Sequence, residues 1–372
     1  MVLSDVEEGG MDITKASLAL PIVWGTLLFL LLSTRRKSAR LLGGELVPDR
    51  DFSNSFKGIA TFLVLYHHSY LYHPESYWYL FGGGEFFTGV SLFFFISGVG
   101  LSLSQGARPS TFSRFIGRRF WVLAPLVFLC MEARAILGPL MGRELALETS
   151  VVTLLGMREW YLVAIWCWYL LFIVVHSTIA SRTIRNILFL CIGGALWGGL
   201  QWAAQDNYMA AMWLRFPLSF MLGVMLADRM TFITSWLQKG KGLAALTVML
   251  LCGAGYLAFA GVGHWQTPWG YAILELLIIP TAWSMCVLFL LYVGVSRFLL
   301  VLGIYSLPIY LLQVPLIRYG VWFSPQSGPL TLLGTWGGII LGSILLQEMA
   351  GTLKKVVSSI FPAHVPVVGR LR

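Results

Sequence analysis

The chain alternates between long apolar runs and short polar segments that hold most of its charge. A helix needs about 20 predominantly apolar residues to cross a hydrocarbon core of roughly 30 Å. Runs of that order fall near 16–33, 56–73, 86–103, 120–138, 159–178, 186–203, 211–227, 243–262, 271–293, 298–317 and 330–350. Each is expected to be helical, because hydrocarbon satisfies no backbone N–H or C=O group. The pattern predicts an all-α integral membrane protein, a polytopic bundle of about eleven transmembrane helices.

The polar segments orient that bundle. With the N-terminus outside, the cytoplasmic segments hold Arg35, Arg36, Lys37, Arg40 and Arg50, then Arg108, Arg114, Arg118 and Arg119. Arg182 and Arg185 follow, then Arg229, Lys239, Lys241 and Arg297, and finally Lys354, Lys355, Arg370 and Arg372 in the tail. The outside segments hold Lys15, Arg143, Arg158 and Arg318. This asymmetry is what the positive-inside rule requires, and removing one middle span would destroy it. The C-terminus is therefore expected in the cytoplasm, in a multi-pass cell-membrane protein. The N-terminal residues Asp5, Glu7, Glu8 and Asp12 precede the first apolar run, and the basic cluster follows it, the reverse of a cleavable signal. Three regions result: 1–50, an extra helix and basic loop; 51–350, the main transmembrane domain; and 351–372, a basic amphipathic tail expected at the membrane surface.

Composition agrees and removes alternatives. Hydrophobic residues are 57% of the chain and charged residues 12%, far from the balance of a soluble domain. The net charge of +9 does not indicate nucleic acid, since the cations lie in orientation clusters rather than a basic tail. The cysteines Cys130, Cys167, Cys191, Cys252 and Cys286 all lie in apolar runs without metal-ligand spacing, and read as small core residues. No internal repeat of the transporter kind is apparent.

Ionisable groups within spans are costly and mark function. They are Lys57, His67, His68, Glu132, Arg134, Arg215 and Glu275, with His176 near a span end. Lys57 begins the second span, and His68 lies eleven residues on, about three turns and roughly 16 Å deeper on nearly the same face. Both side chains are expected to look into one cavity. A cation at a cytoplasmic mouth can hold an anionic cofactor, and a deeper imidazole can act as general base. A snorkelling lysine and an interhelical histidine would satisfy the same spacing. Glu132 and Arg134 point to different sides of their helix, and Arg215 with Glu275 can form a structural pair. Pro308 and Pro280 are expected to kink their helices. The aromatic loop from Tyr70 to Phe87 is expected outside, as an interfacial belt or an acceptor entrance.

The ordered motifs resemble the membrane-bound acyltransferase 3 family. Lys57-Gly58-Ile59-Ala60 with His68 is similar to its first core helix, where the basic residue is more often Arg. Gly89-Val90-Ser91-Leu92-Phe93-Phe94-Phe95-Ile96-Ser97-Gly98 is similar to the family's Gly-Val signature, and its small residues Gly89, Ser97 and Gly98 suit close helix approach. The stretch from Phe115 to Pro125, containing Arg118 and Arg119, resembles the basic loop before the family's next helix. Trp160-Tyr161-Leu162 with Tyr169-Leu170-Leu171, Arg215-Phe216-Pro217 with Phe220-Met221-Leu222-Gly223, and Leu302 to Gln313 resemble later helices. The likeness spans about 52–345, leaving the first helix as an addition to a core of about ten. The family pattern has a second arginine at Val122, an acidic residue at Ser91, a histidine at Gln313, and an aromatic or small residue at His67.

The resemblance implies a membrane-bound O-acyltransferase. It would take an acyl group, usually acetyl, from cytoplasmic acyl-coenzyme A to a hydroxyl of a carbohydrate, lipid-linked or other exported acceptor. His68 or the adjacent His67 would serve catalysis, directly or by a covalent acyl-histidine relay. Lys57, Arg114, Arg118 and Arg119 would hold the phosphates of the donor, acyl-CoA, with no permanently bound cofactor and no metal. Two alternatives share the bundle: a transporter or flippase, and a catalytically weakened relative acting as a binding component.

Overall fold

A computed structural model describes residues 50–72, 88–107, 109–140, 160–203, 217–229, 232–233, 235–236, 243–261, 273, 276–284, 288, 295–319 and 329–360. Among them are ten α-helices and one 3-10 turn, with no strand. In order these are α1 (Arg50–Tyr72), α2 (Thr88–Ala107), α3 (Phe112–Leu140), α4 (Trp160–Thr178) and α5 (Arg182–Ala203). Then come α6 (Pro217–Leu226) with the turn Ala227–Arg229, α7 (Leu243–Gly261), α8 (Arg297–Ile304), α9 (Ser306–Tyr319) and α10 (Pro329–Ile360). Among the described residues, Gly89–Ala107 and Tyr161–Thr178 are long and apolar enough to cross a membrane, and α8 with α9 makes a third if the bent pair counts as one span. The expected span at 16–33, the Arg215–Glu275 pair and residues 73–87 of the aromatic loop lie outside the described residues.

Three elements differ from their expected form. The helix expected near 120 begins at Phe112, so Arg114, Arg118 and Arg119 ride on the first turns of α3 instead of forming a loop. Its 29 residues measure about 44 Å, longer than hydrocarbon requires, so a basic first section can belong to the same helix. The run at 298–317 is two helices bent by 79° at Tyr305. Pro308 accounts for the break: it has no N–H to meet the carbonyl of Ile304, and its ring would clash there. In the first turn of α9 the missing N–H costs nothing. Ser296 caps the start of α8, its hydroxyl accepting from the Leu299 N–H at 3.1 Å. Finally, α10 runs without interruption past residue 351 to Ile360, so the first half of the basic tail continues the helix rather than lying apart from it.

Burial against lipid gains a helix little, since acyl chains are as apolar as leucine, so packing depends on close contact between small residues. The glycines of the sequence motifs supply it. A Cβ on Gly58 of α1 would strike the backbone of Leu299 in α8, and one on Gly303 of α8 would strike the backbone of Asn54 in α1. The pair α2 and α6 repeats this reciprocity: Gly98 meets the Phe220 carbonyl, and Gly223 meets that of Phe95. Gly89 seats α2 on α1 at the Ala60 carbonyl, 2.6 Å from where a Cβ would sit. These docked backbones tie α1, α2, α6 and α8 into one block. Aromatic rings fill the spaces between them, with Trp283 touching Phe52, Phe56 and Phe95 at centroid distances of 5.6, 5.0 and 5.6 Å.

The outside of the block is apolar and the inside partly polar. Leu341, Leu345 and Met349 form an exposed stripe on α10, while Ser55, Ser91, Ser219, Ser343 and Gln313 are buried. The described cysteines are free, but only Cys130 is a core residue; Cys167 and Cys191 face outward, correcting their expected burial. In lipid an outward cysteine behaves as a small apolar group.

Candidate active site

Five of the motif strings converge on one cavity of about 160 Å³. Lys57 comes from α1, Phe93 and Ser97 from α2, Leu123 from α3, and Tyr161, Leu162, Ile165 and Tyr169 from α4. Ser306, Leu307 and Tyr310 close it from α9. The lining is therefore mostly aromatic and aliphatic, with three tyrosines, two serines and one ammonium as its polar groups. That composition suits a small ligand with a few oriented polar contacts.

The cations gather at the Lys57 end. Arg119 and Arg50 are both close enough to repel the Lys57 ammonium. The Arg119 guanidinium lies over Tyr169, 5.2 Å from the ring centroid, and over Phe115 at 5.7 Å. The i, i+4 spacing on α3 puts Phe115 beneath Arg119, and Tyr169 is itself part of the cavity wall. A group of like charges fixed on rings is relieved by an anion, and guanidinium and ammonium groups both suit phosphate. Of the three expected arginines the structure brings Arg119 to Lys57. Arg118 is half-buried, and Arg114 is exposed on the surface of α3. Arg50, a member of the basic loop in the sequence, joins the group from the first residue of α1. Val122, where the family pattern has a second arginine, is 50% exposed and points away from the cavity lined by its neighbour Leu123.

His68 is not part of the cavity wall. The spacing on α1 does set it on nearly the face of Lys57, but about 16 Å further along the helix, and the cavity wall does not include it. It lies further along α1 from Lys57, while the cavity wall holds the Tyr161–Tyr310 pair, whose rings are 4.7 Å apart. There it meets Gln313, one turn past Tyr310 on α9: the Gln313 side chain faces the imidazole. Gln313 is 1% exposed, and neither amide atom makes a hydrogen bond of ordinary geometry among the described residues. His67 is the neighbouring ring, 5.5 Å from His68 by centroids and tilted by 55°. At the next residue of α1, Ser69 accepts from the Trp336 indole at 3.0 Å and donates to the Leu65 carbonyl at 2.8 Å, which fixes α10 to the His68 end of α1.

Sequence reasoning missed the two residues that most define this arrangement as a site. Tyr161 and Tyr310 lay inside quoted motifs, yet nothing in their spacing announces that they pair. Among the described residues, the other intramembrane ionisable groups, His176, Glu132 and Arg134, are not part of the cavity wall. His176 stacks on Phe172 at 3.7 Å, with its Nδ1 3.0 Å from the Phe172 carbonyl. Glu132 and Arg134 sit half-exposed in the second half of α3, and Arg134 reaches the Met131 sulfur at 3.9 Å.

Comparison with known proteins agrees with these motifs. A search of curated proteins gave no match. A search of solved structures gave none either. A family model described as an acyltransferase domain matches residues 50–347, which include the whole cavity wall, the cation group, both histidines and Gln313. By that match over most of its length, the chain belongs to the acyltransferase 3 family.

Proposed function

We propose that this protein is a membrane-bound O-acyltransferase that moves an acetyl group from cytoplasmic acetyl-CoA to a hydroxyl of a glycan or other exported acceptor. The observation that carries the reading is the axis along α1: Lys57, Arg119 and Arg50 gather at one end, beside a largely apolar cavity, and His68 lies about 16 Å further along the helix. Acyl-CoA has the same plan, with phosphates at one end and the thioester at the end of a slender arm. The cations hold the phosphates, the arm threads the cavity, and the thioester meets the acceptor near His68.

In the transfer, the acceptor oxygen attacks the thioester carbonyl as His68 takes the hydroxyl proton. The new C–O bond forms, the C–S bond breaks, and the imidazolium returns the proton to the departing thiolate. Base and substrate need only be held in line for such a step to gain greatly over the free reaction. About eleven spans, with the N-terminus outside and the C-terminus inside, would put donor and acceptor on opposite faces of the membrane. The exposed apolar stripe on α10 supports residence in lipid.

The test is acetyl transfer from labelled acetyl-CoA by protein purified into lipid nanodiscs, paired with mass analysis of surface glycans and lipids from cells with and without it. His68→Ala is expected to abolish transfer at matched protein level, and His67→Ala to leave most of it. Unchanged transfer in His68→Ala removes the assignment. Movement of an unmodified substrate without acetyl-CoA turnover identifies a transporter instead.

A further inference from the structure

We propose that Gln313 is the positioning residue for His68: a neutral amide that holds the imidazole in one tautomer and one orientation without adding charge. The proposal rests on the reading of His68 as the base. Gln313 is 1% exposed on α9 and faces His68, and neither of its amide atoms makes a hydrogen bond of ordinary geometry among the described residues. A buried amide with nothing else to bond is costly to keep, and is explained by the one polar group it faces. An amide can donate to one imidazole nitrogen or accept from its N–H, and either choice decides which nitrogen is left basic.

Neutrality is the distinctive part. A carboxylate at this position would also orient the ring, but it would favour the imidazolium and remove base at neutral pH. The ionisable group facing His68 is His67, on its own helix. Of the elements packed on α1, α2 has no ionisable side chain, α9 carries Tyr310 and, five and six residues past Gln313, Arg318 and Tyr319, and α8 begins with exposed Arg297. Glu348, Lys354 and Lys355 of α10 lie about 18 Å or more beyond Trp336. Among the described side chains, His67 and the Gln313 amide are the groups that act on His68.

The experiment is the pH profile of acetyl transfer in nanodiscs for wild type, Gln313→Glu and Gln313→Leu. Gln313→Glu raises the imidazolium pKa, so the acid limb is expected to move to higher pH by about one unit or more. Gln313→Leu is expected to lower kcat by about tenfold or more, while KM for acetyl-CoA stays within about twofold, because donor binding is elsewhere. If Gln313→Glu does not fold, Gln313→Asp carries the same readout, since it too exchanges a neutral partner for a carboxylate. Superimposable profiles with unchanged kcat, or a rise in KM alone, overturn the proposal. His68→Ala separates the levels. Inactive His68→Ala with silent Gln313 variants defeats this inference only, and active His68→Ala defeats the reading beneath it as well.

Discussion

Arg119 combines two functions in one side chain. Its guanidinium face rests on Tyr169 and Phe115, which leaves the edge N–H groups free to meet an anion beside Lys57. Replacing it with alanine is expected to raise KM for acetyl-CoA roughly ten- to a hundredfold, the equivalent of about 1.5–3 kcal/mol for a charge-assisted hydrogen bond. Arg119→Lys keeps the charge but not the stack, and should recover part of the loss. Arg114→Ala, at an exposed site on the same helix, should change KM less than about twofold. Initial rates over a range of acetyl-CoA concentrations distinguish the three. How far such residues were legible follows from what fixes them. Lys57 and His68 share a helix, so periodicity alone fixed their separation and face. Arg119 and Lys57 meet only because α1 and α3 both border the cavity, and Gln313 meets His68 only because α9 leaves Tyr305 at a steep angle. Neither relation has a local pattern to read.

Helix docking gives the glycines their purpose. Gly303 and Gly58 face partner backbone, which cannot rotate aside as a side chain can. Gly303→Ala or Gly58→Ala is expected to cost about 1–3 kcal/mol by overpacking, seen as a lower midpoint in a thermal assay of detergent-solubilised protein. Gly117→Ala on α3 meets nothing within 4 Å and is expected to stabilise by about 0.5–1 kcal/mol, as alanine does in a helix interior. The presence of the elements was clear from hydropathy, but their ends were not. A hydropathy window stops where charges begin, while α3 and α10 continue as helix through Arg118 and Lys354 because arginine and lysine are good helix formers. The break in the run at 298–317 was foreshadowed by Pro308, though its position three residues earlier follows from the i−4 clash and not from the proline's own place.

For the molecule as a whole, the exposed apolar stripe and the basic clusters make orientation the central prediction. Cysteines introduced at Lys354 and at Arg158 should react with impermeant thiol reagents from opposite faces of intact cells and inverted vesicles. Labelling of both from the same face would show that the span count between them has the wrong parity. The angle at Tyr305 then has a mechanical meaning. One arm of that elbow, α8, is riveted to α1 at Gly58 and Asn54, beside Lys57; the other, α9, brings Gln313 against His68. An elbow pinned at both ends behaves as a bracket: if the phosphate end tilts, the arm bearing Gln313 must swing with it. On the proposed reading, loading of the donor and alignment of the base would be geared together, and an empty enzyme would be held out of register with its own chemistry.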